Sequence, residues 1–353
     1  MVDNYLSKKI RFISFLSMIL VVFLHSYNLG EEIIEKSSTE KGFVFFIQYF
    51  ISQGIARIAV PIFFSISGYL FFLNKQTLFG GYILSLKKKT KSLVLPYLFW
   101  SIFGFLIFFL LQSLPQTTMF FKNKHIIDYS LHEIFDVIFI HPIPFQLWFI
   151  RDLFLFIFLS PLILFIIKYL KIFAVFFLLG LWLLNFDFIF FSTEAILFYL
   201  FGSFLGFYKL NLKKKNQPFT YLIILWIVLV FLEALFYTLN FNIYLILHTL
   251  HKFNILTGVF SIWFFYDLLY ERTNVFKLGL FRYSMVSFFV YAFHEPLLEF
   301  TKIILFKFLG RSNYSVLFIY IISPMFVLST CFLIGIFLKK YYPVFYTTIT
   351  GGR

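Results

Sequence analysis

The sequence predicts an all-α polytopic membrane protein of about ten transmembrane helices, and three observations carry that prediction. Hydrophobic residues make up 61% of the chain and charged residues only 13%, against roughly 25% charged in an ordinary soluble domain. Apolar runs recur from one end to the other, each near the ~20 residues a helix needs to cross a bilayer. The 59 phenylalanines exceed what a soluble core of this size could hide without leaving large apolar patches in water. A single integral-membrane domain, residues 1–353, follows, with no soluble domain, linker or internal repeat.

Cut at its apolar runs, the chain gives candidate spans at 12–30, 57–73, 93–114, 146–167, 172–191, 194–208, 219–240, 255–270, 283–306 and 315–338. The first is uncharged from Phe12 to Leu24 and then carries His25. No small-residue cleavage pattern follows it, so it reads as a span and not as a cleavable signal peptide. An outer loop at 30–42 leads into "FVFFIQYFISQGIAR", read as an amphipathic approach helix before the second span. The outer segment from Leu114 to Phe145 holds His125, His132 and His141, and a tight turn around "NFDFIFFSTE" joins the spans between 172 and 208.

The formal charge of +14 follows the same alternation. Lys8, Lys9 and Arg11, then "KKKTK" at 87–91, "KLNLKKK" at 209–215 and Lys339 with Lys340 all fall on one side. Positive charge marks the cytoplasmic side, so both termini are expected there. Basicity is mainly topology and points away from nucleic acid, with membrane lipids and a phosphate-bearing cofactor as the anions it can hold. Cys331 is the only cysteine; it excludes an intramolecular disulfide and any cysteine-based metal site, and no metal is expected.

Ionisable groups inside hydrocarbon are costly and mark pathways or sites. Here they are His25, Arg57, Arg151, Asp152, Glu233, His294, Glu295 and Glu299, with Lys302 and Lys307 nearer a span end. At 1.5 Å rise per residue, His25 lies about 20 Å and Arg57 about 25 Å from the inner ends of their spans, and His294 with Glu295 about 17 Å. Several of these can meet in the middle and outer half of the membrane. Each also has a plain structural reading. His25 can fix packing by bonding a neighbouring helix; Arg57, Arg151, Lys302 and Lys307 can snorkel to the surface. Glu233 and Glu299 can pair with other spans. His125, His132, His141, His248 and His251 read as solvated loop residues, at spacings that match no metal motif.

The motifs resemble, in order, those of the membrane acyltransferase 3 family, which O-acylates cell-surface glycans and related molecules. "FLSMILVVFLHSYN" is similar to that family's first helix, "RIAVPIFFSISGYLFF" at 57–72 to its second, and "LVLPYLFW" at 93–100 to the start of its third. "FQLWFIRDLFLF" at 145–156 and "SFFVYAFHEPLL" at 287–298 resemble its later Leu-Trp-Phe and Tyr-x-x-His elements. One position departs: the family usually carries Arg or Lys eleven residues before its histidine, where this chain has Ser14. Arg11, one turn earlier, is the available substitute.

The resemblance implies an O-acetyltransferase acting from acetyl-CoA or another acyl-CoA onto a glycan or lipid-linked glycan in a bacterial cytoplasmic membrane. An alcohol is a poor nucleophile, so transfer needs a base and donors for the oxyanion. The expected catalytic residues are His25 as base, Glu295 as the carboxylate orienting it, His294, and Arg57 for the oxyanion or a donor phosphate. Arg11, Lys87, Lys88 and Lys89, with Arg57, are the expected donor-binding residues. Ser67 and Gly68 read as a close helix contact. Buried charges across ten spans also fit a secondary transporter or flippase of polysaccharide precursors, although no paired halves are visible. A non-catalytic polysaccharide-assembly protein is the third class.

Overall fold

The computed structural model describes residues 4–27, 42–73, 82–114, 124–210, 219–241, 244–272, 283–310 and 312–352. The predicted outer loop at 30–41 and the lysines at 213–215 lie outside these residues. Among the described residues there is no strand, and the fold is all-α. In chain order the helices are α1 (Asn4–Ser26), α2 (Phe43–Phe72), α3 (Leu86–Ser113) and the short α4 (Leu131–Phe139). Then come α5 (Trp148–Phe158), α6 (Ser160–Leu170), α7 (Ile172–Leu183), α8 (Thr193–Phe207) and α9 (Thr220–Thr238). Finally α10 (Tyr244–Arg272), α11 (Ser287–Leu309), α12 (Asn313–Tyr341) and α13 (Pro343–Thr350) complete the bundle.

Each predicted span overlaps one of these helices, or in one case the pair α5 and α6, which is bent by 66°. Only six are long and apolar enough to cross a membrane by themselves, or seven if the bent pair counts as one crossing. The shortfall has local causes. α7 and α8 are apolar but short, and α11 carries Glu295, Glu299, Lys302 and Lys307 from its middle to its end.

Two boundaries differ from the prediction. The approach segment before Arg57 is no separate surface helix, because it runs on through a π turn and a 3₁₀ turn into a single 30-residue apolar helix, α2. Two of its polar residues bond to other helices. The Tyr49 hydroxyl donates to Glu233 Oε1 at 2.7 Å. Ser52 Oγ lies 2.7 Å from the Phe23 carbonyl, to which it donates, and 2.8 Å from the Tyr320 hydroxyl. Likewise α10 begins at Tyr244, so His248 and His251 belong to a helix and not to a loop.

α1 is the central post, packing against α2, α10, α11 and α12, which is how its histidine reaches the interior. Near its start Lys9 is fully buried and forms a 2.7 Å ion pair with Asp267, so this lysine is not one of the surface topology charges. The tightest helix contact is α2 against α8. A Cβ on Gly202 would lie 1.9 Å from the Ser65 carbonyl oxygen, one on Gly68 2.3 Å from that of Tyr199, and one on Gly206 2.3 Å from that of Tyr69. The obstacles are backbone atoms, so the clash cannot be relieved by a side-chain rotation. Gly202→Ala is expected to cost about 1–3 kcal/mol, as overpacking does, visible as a lower unfolding temperature in detergent.

The short α4 packs on α3. It starts with a capping box between Ser130 and Glu133, and hydrogen bonds from Lys124 and from the cap hold the Glu133 carboxyl down at about 2. Its last carbonyls have no helical donors of their own. Side chains supply them: Ser101 donates to Ile138 O at 2.8 Å, Tyr97 to Phe139 O at 2.9 Å, and Arg151 to Ile140 O at 2.6 Å. This ties the 140–147 segment down across the end of the bundle.

Candidate active site

α11 is broken in its middle. Glu295 has φ −100° and ψ 134°, outside the helical region, and Pro296 follows. Proline has no N–H, so the carbonyl four residues earlier, that of Ala292, loses its helical donor. The buried amide of Gln146 replaces it, donating from Nε2 to Ala292 O at 3.2 Å and to Glu295 O at 3.3 Å. Tyr291 in turn donates its hydroxyl to the Gln146 carbonyl. The break thus places His294 and Glu295 side by side with their backbone satisfied.

Both face the last turn of α1. The His25 ring stands edge-on to His294 at 5.1 Å between centroids and stacks on Phe145 at 4.7 Å. His25 Nδ1 is 4.0 Å from Glu295 Oε1 and has no hydrogen-bond partner. His294 Nδ1 donates to the Tyr291 carbonyl at 2.8 Å, with Val290 O at 3.2 Å. That assigns its proton to Nδ1 and leaves Nε2 as an acceptor, and Nε2 is buried without a partner. Two orphan imidazole nitrogens therefore converge beside one carboxylate. Buried polar groups are nearly always bonded, and exceptions in a native structure mark places where something binds or reacts. Ligand atoms of the three side chains lie within 4.8 Å of one another, so the same trio has the composition of a three-ligand metal set.

Lys302 is 5% exposed and donates to the His25 carbonyl at 3.3 Å; it is a buried tie between α11 and α1 and does not snorkel. Arg57 is not on the histidine cluster. It forms a 3.2 Å ion pair with Glu194 and lines a separate cavity of about 620 Å³ with Trp148, Arg151, Asp152 and His251. Arg11, Lys87 and Lys88 are exposed and Lys89 is half-buried. These four sit at the starts of α1 and α3; along α1, Arg11 is about 21 Å from His25.

Sequence reasoning missed Gln146, whose signal was a lone amide in an apolar motif ahead of a proline-broken partner helix. It also missed the pairing of Glu233 with His251 at 2.7 Å, because His251 reads as a loop residue until α10 is seen to start before it.

The bundle is that of an integral-membrane protein, and inside it two imidazoles and a carboxylate lie together. The chain belongs to the acyltransferase 3 family, whose acyltransferase domain matches residues 9–338, and it is a membrane acyltransferase on that ground. It is similar to a succinoglycan biosynthesis protein, ExoH, of Rhizobium meliloti (strain 1021). The two are 28% identical over 264 residues, covering 73% of this chain and 70% of the relative. No solved structure matches.

Proposed function

We propose that the protein moves an acyl group, acetyl in the first instance, from a cytoplasmic acyl-CoA to a hydroxyl of a surface polysaccharide or its lipid-linked precursor. The observation that carries this reading is the cluster of His25, His294 and Glu295 at the break in α11. In the proposed reaction a neutral His25 takes the proton of the acceptor hydroxyl, and the oxygen attacks the thioester carbonyl. The tetrahedral oxyanion collapses, the carbon–sulfur bond breaks, and the CoA sulfur leaves with the proton held by the imidazole. Glu295 stabilises the imidazolium, and closing its present 4.0 Å gap by about 1 Å would make it a hydrogen-bonded orienter, a tightening common on ligand binding. His294 Nε2 offers the acceptor a second hydrogen-bond site. Arg57, in the neighbouring cavity, serves the oxyanion once displaced from Glu194.

The topology proposed with it is ten crossings with both termini in the cytoplasm of a bacterial inner membrane, supported by a helix under every apolar run and by the charge alternation. Arg11, Lys87, Lys88 and Lys89 then face the cytoplasmic donor, attracting its phosphates while the acyl arm extends inward. Similarity to a succinoglycan biosynthesis protein favours a polysaccharide acceptor.

The test uses membrane vesicles, radiolabelled acetyl-CoA and host glycan precursors. Label is expected on the glycan only when the protein is present. Movement of the precursor across the membrane without thioester consumption would support a flippase instead. Replacing Lys87, Lys88 and Lys89 together by alanine is expected to raise the donor KM about tenfold and flatten its salt dependence, with kcat kept.

A second reading has one observation in its favour, the three-ligand geometry of His25, His294 and Glu295. A metal ion there would act as a Lewis acid or supply an activated hydroxide, and it would occupy the lone pair that the base needs. Transfer is expected to survive exhaustive chelation; loss on chelation with recovery on zinc would establish the metal reading.

A further inference from the structure

The 620 Å³ cavity that holds Arg57 is unexplained by a base and a thioester alone. Its size falls within the ~300–1,000 Å³ of small-ligand sites. Its walls come from Arg57 of α2, the start of α5, the end of α7, the largely apolar 185–192 segment, the start of α8 and the first turns of α10. One 3₁₀ turn links it to the histidine cluster: Phe145, which stacks on His25, is three residues before the lining residue Trp148.

The chemistry of the lining selects a ligand class. Its fixed charges are already matched: Arg57 pairs with Glu194 at 3.2 Å and Arg151 with Asp152 at 2.8 Å. Lys252 donates to the Trp182 carbonyl and to Asn185 Oδ1, and Asp187 accepts the Thr193 N–H at 2.8 Å. The three cations of the lining, Arg57, Arg151 and Lys252, face three carboxylates, Asp152, Asp187 and Glu194, so a polyphosphate would meet no excess of positive charge here. A hydroxyl-rich, uncharged ring suits the site better, since Trp148 and Trp182 offer aromatic faces and Asp152, Asn185 and His251 offer polar edges.

His251 is the group in this wall with the most elaborate support. Its Nδ1 meets Glu233 Oε1 at 2.7 Å. Glu233 is fully buried and also accepts from the Tyr49 hydroxyl at 2.7 Å and from Asn254 Nδ2. Such a carboxylate fixes the proton on Nδ1 and the plane of the ring, the arrangement that presents Nε2 as an acceptor in a set direction. The ring is 22% exposed and lines the cavity, and no described residue bonds its Nε2.

We propose that this cavity is the saccharide subsite of the acceptor, and that His251, held by Glu233, receives a sugar hydroxyl there. The proposal rests on the acyltransferase reading above and adds where the acceptor sits. His251 is a binding and positioning residue in it, while His25 performs the proton transfer.

The test is direct binding without any donor. The probe is a de-acylated repeat-unit oligosaccharide released from the host's own surface polysaccharide, titrated into the purified full chain and followed by calorimetry and tryptophan fluorescence. Saturable binding is expected in the wild type, at least tenfold weaker in His251→Ala, and partly restored in His251→Gln, whose amide reaches toward the Nε2 position. Asn185→Ala is the second variant should His251→Ala fail to elute as a monodisperse species. Equal affinity in wild type and His251→Ala, no oligosaccharide binding, or displacement of the oligosaccharide by acetyl-CoA would each overturn the proposal. A protein that binds the oligosaccharide through His251 and transfers nothing would instead defeat the acyltransferase reading. One that transfers normally in His251→Ala defeats only the subsite.

Discussion

His25→Ala is expected to lower kcat for glycan acylation by roughly 10²–10⁴, the usual contribution of a positioned general base, with the donor KM and the expression level unchanged. At ~1.36 kcal/mol per decade this is about 3–5 kcal/mol of transition-state stabilisation. The effect is separable from packing. The bond from Lys302 runs to the His25 backbone carbonyl and survives the substitution, and the side chain itself gives up its ring contacts with Phe145 and His294 and its 4.0 Å approach to Glu295. A histidine that merely fixed packing would lose thermal stability and keep kcat; a base loses kcat and keeps most of its stability. Glu295→Gln keeps the shape and removes the charge beside the imidazolium, so a smaller loss in kcat is expected. The double variant should be no worse than His25→Ala alone, because groups that act as one unit are not additive. Single-turnover transfer with radiolabelled acetyl-CoA reads all three, and an unchanged kcat in His25→Ala sinks the base role.

How far the sequence anticipates this arrangement depends on the range of the interaction. Spans are legible because hydropathy is a local property, and His25, His294 and Glu295 stand out because ionisable groups are rare in apolar runs. The break in α11 is local too, carried by Pro296. The partners of buried polar groups are not local. Ser52, Gln48 and Tyr49 give the segment before Arg57 an interfacial look, yet Ser52 is answered by Phe23 and Tyr320, and Tyr49 by Glu233. Nothing in the sequence says that a carboxylate in α9 meets a histidine in the first turns of α10. Charge alternation treats every lysine near an end as solvated, which Lys9 and Lys302 are not. Arg57 illustrates the remaining limit: motif order puts it with His25, and its ion pair with Glu194 puts it in the neighbouring cavity.

Lys9 gives the second large effect. Its ammonium is fully buried, accepted by both Asp267 oxygens at 2.8 and 2.7 Å, and lies 4.3 Å from the Trp263 ring. Tyr5 donates to the same carboxylate. Asp267→Ala strands the ammonium among apolar groups, and breaking a buried pair from one side costs about 3–5 kcal/mol. The lower end is expected, near ~3 kcal/mol, because Lys9 is only about 8 Å along α1 from the helix start and a long side chain can reach back toward water. The double variant Lys9→Met with Asp267→Leu removes both charges and should recover most of that loss, since well-packed apolar replacements of a buried pair are often neutral. Thermal unfolding in detergent measures both. His25 is about 24 Å further along the same helix, so the folded fraction of Asp267→Ala should turn over at the wild-type kcat. A drop in kcat without a drop in unfolding temperature would mean that the pair tunes the reaction along α1 and does not simply hold α1 against α10.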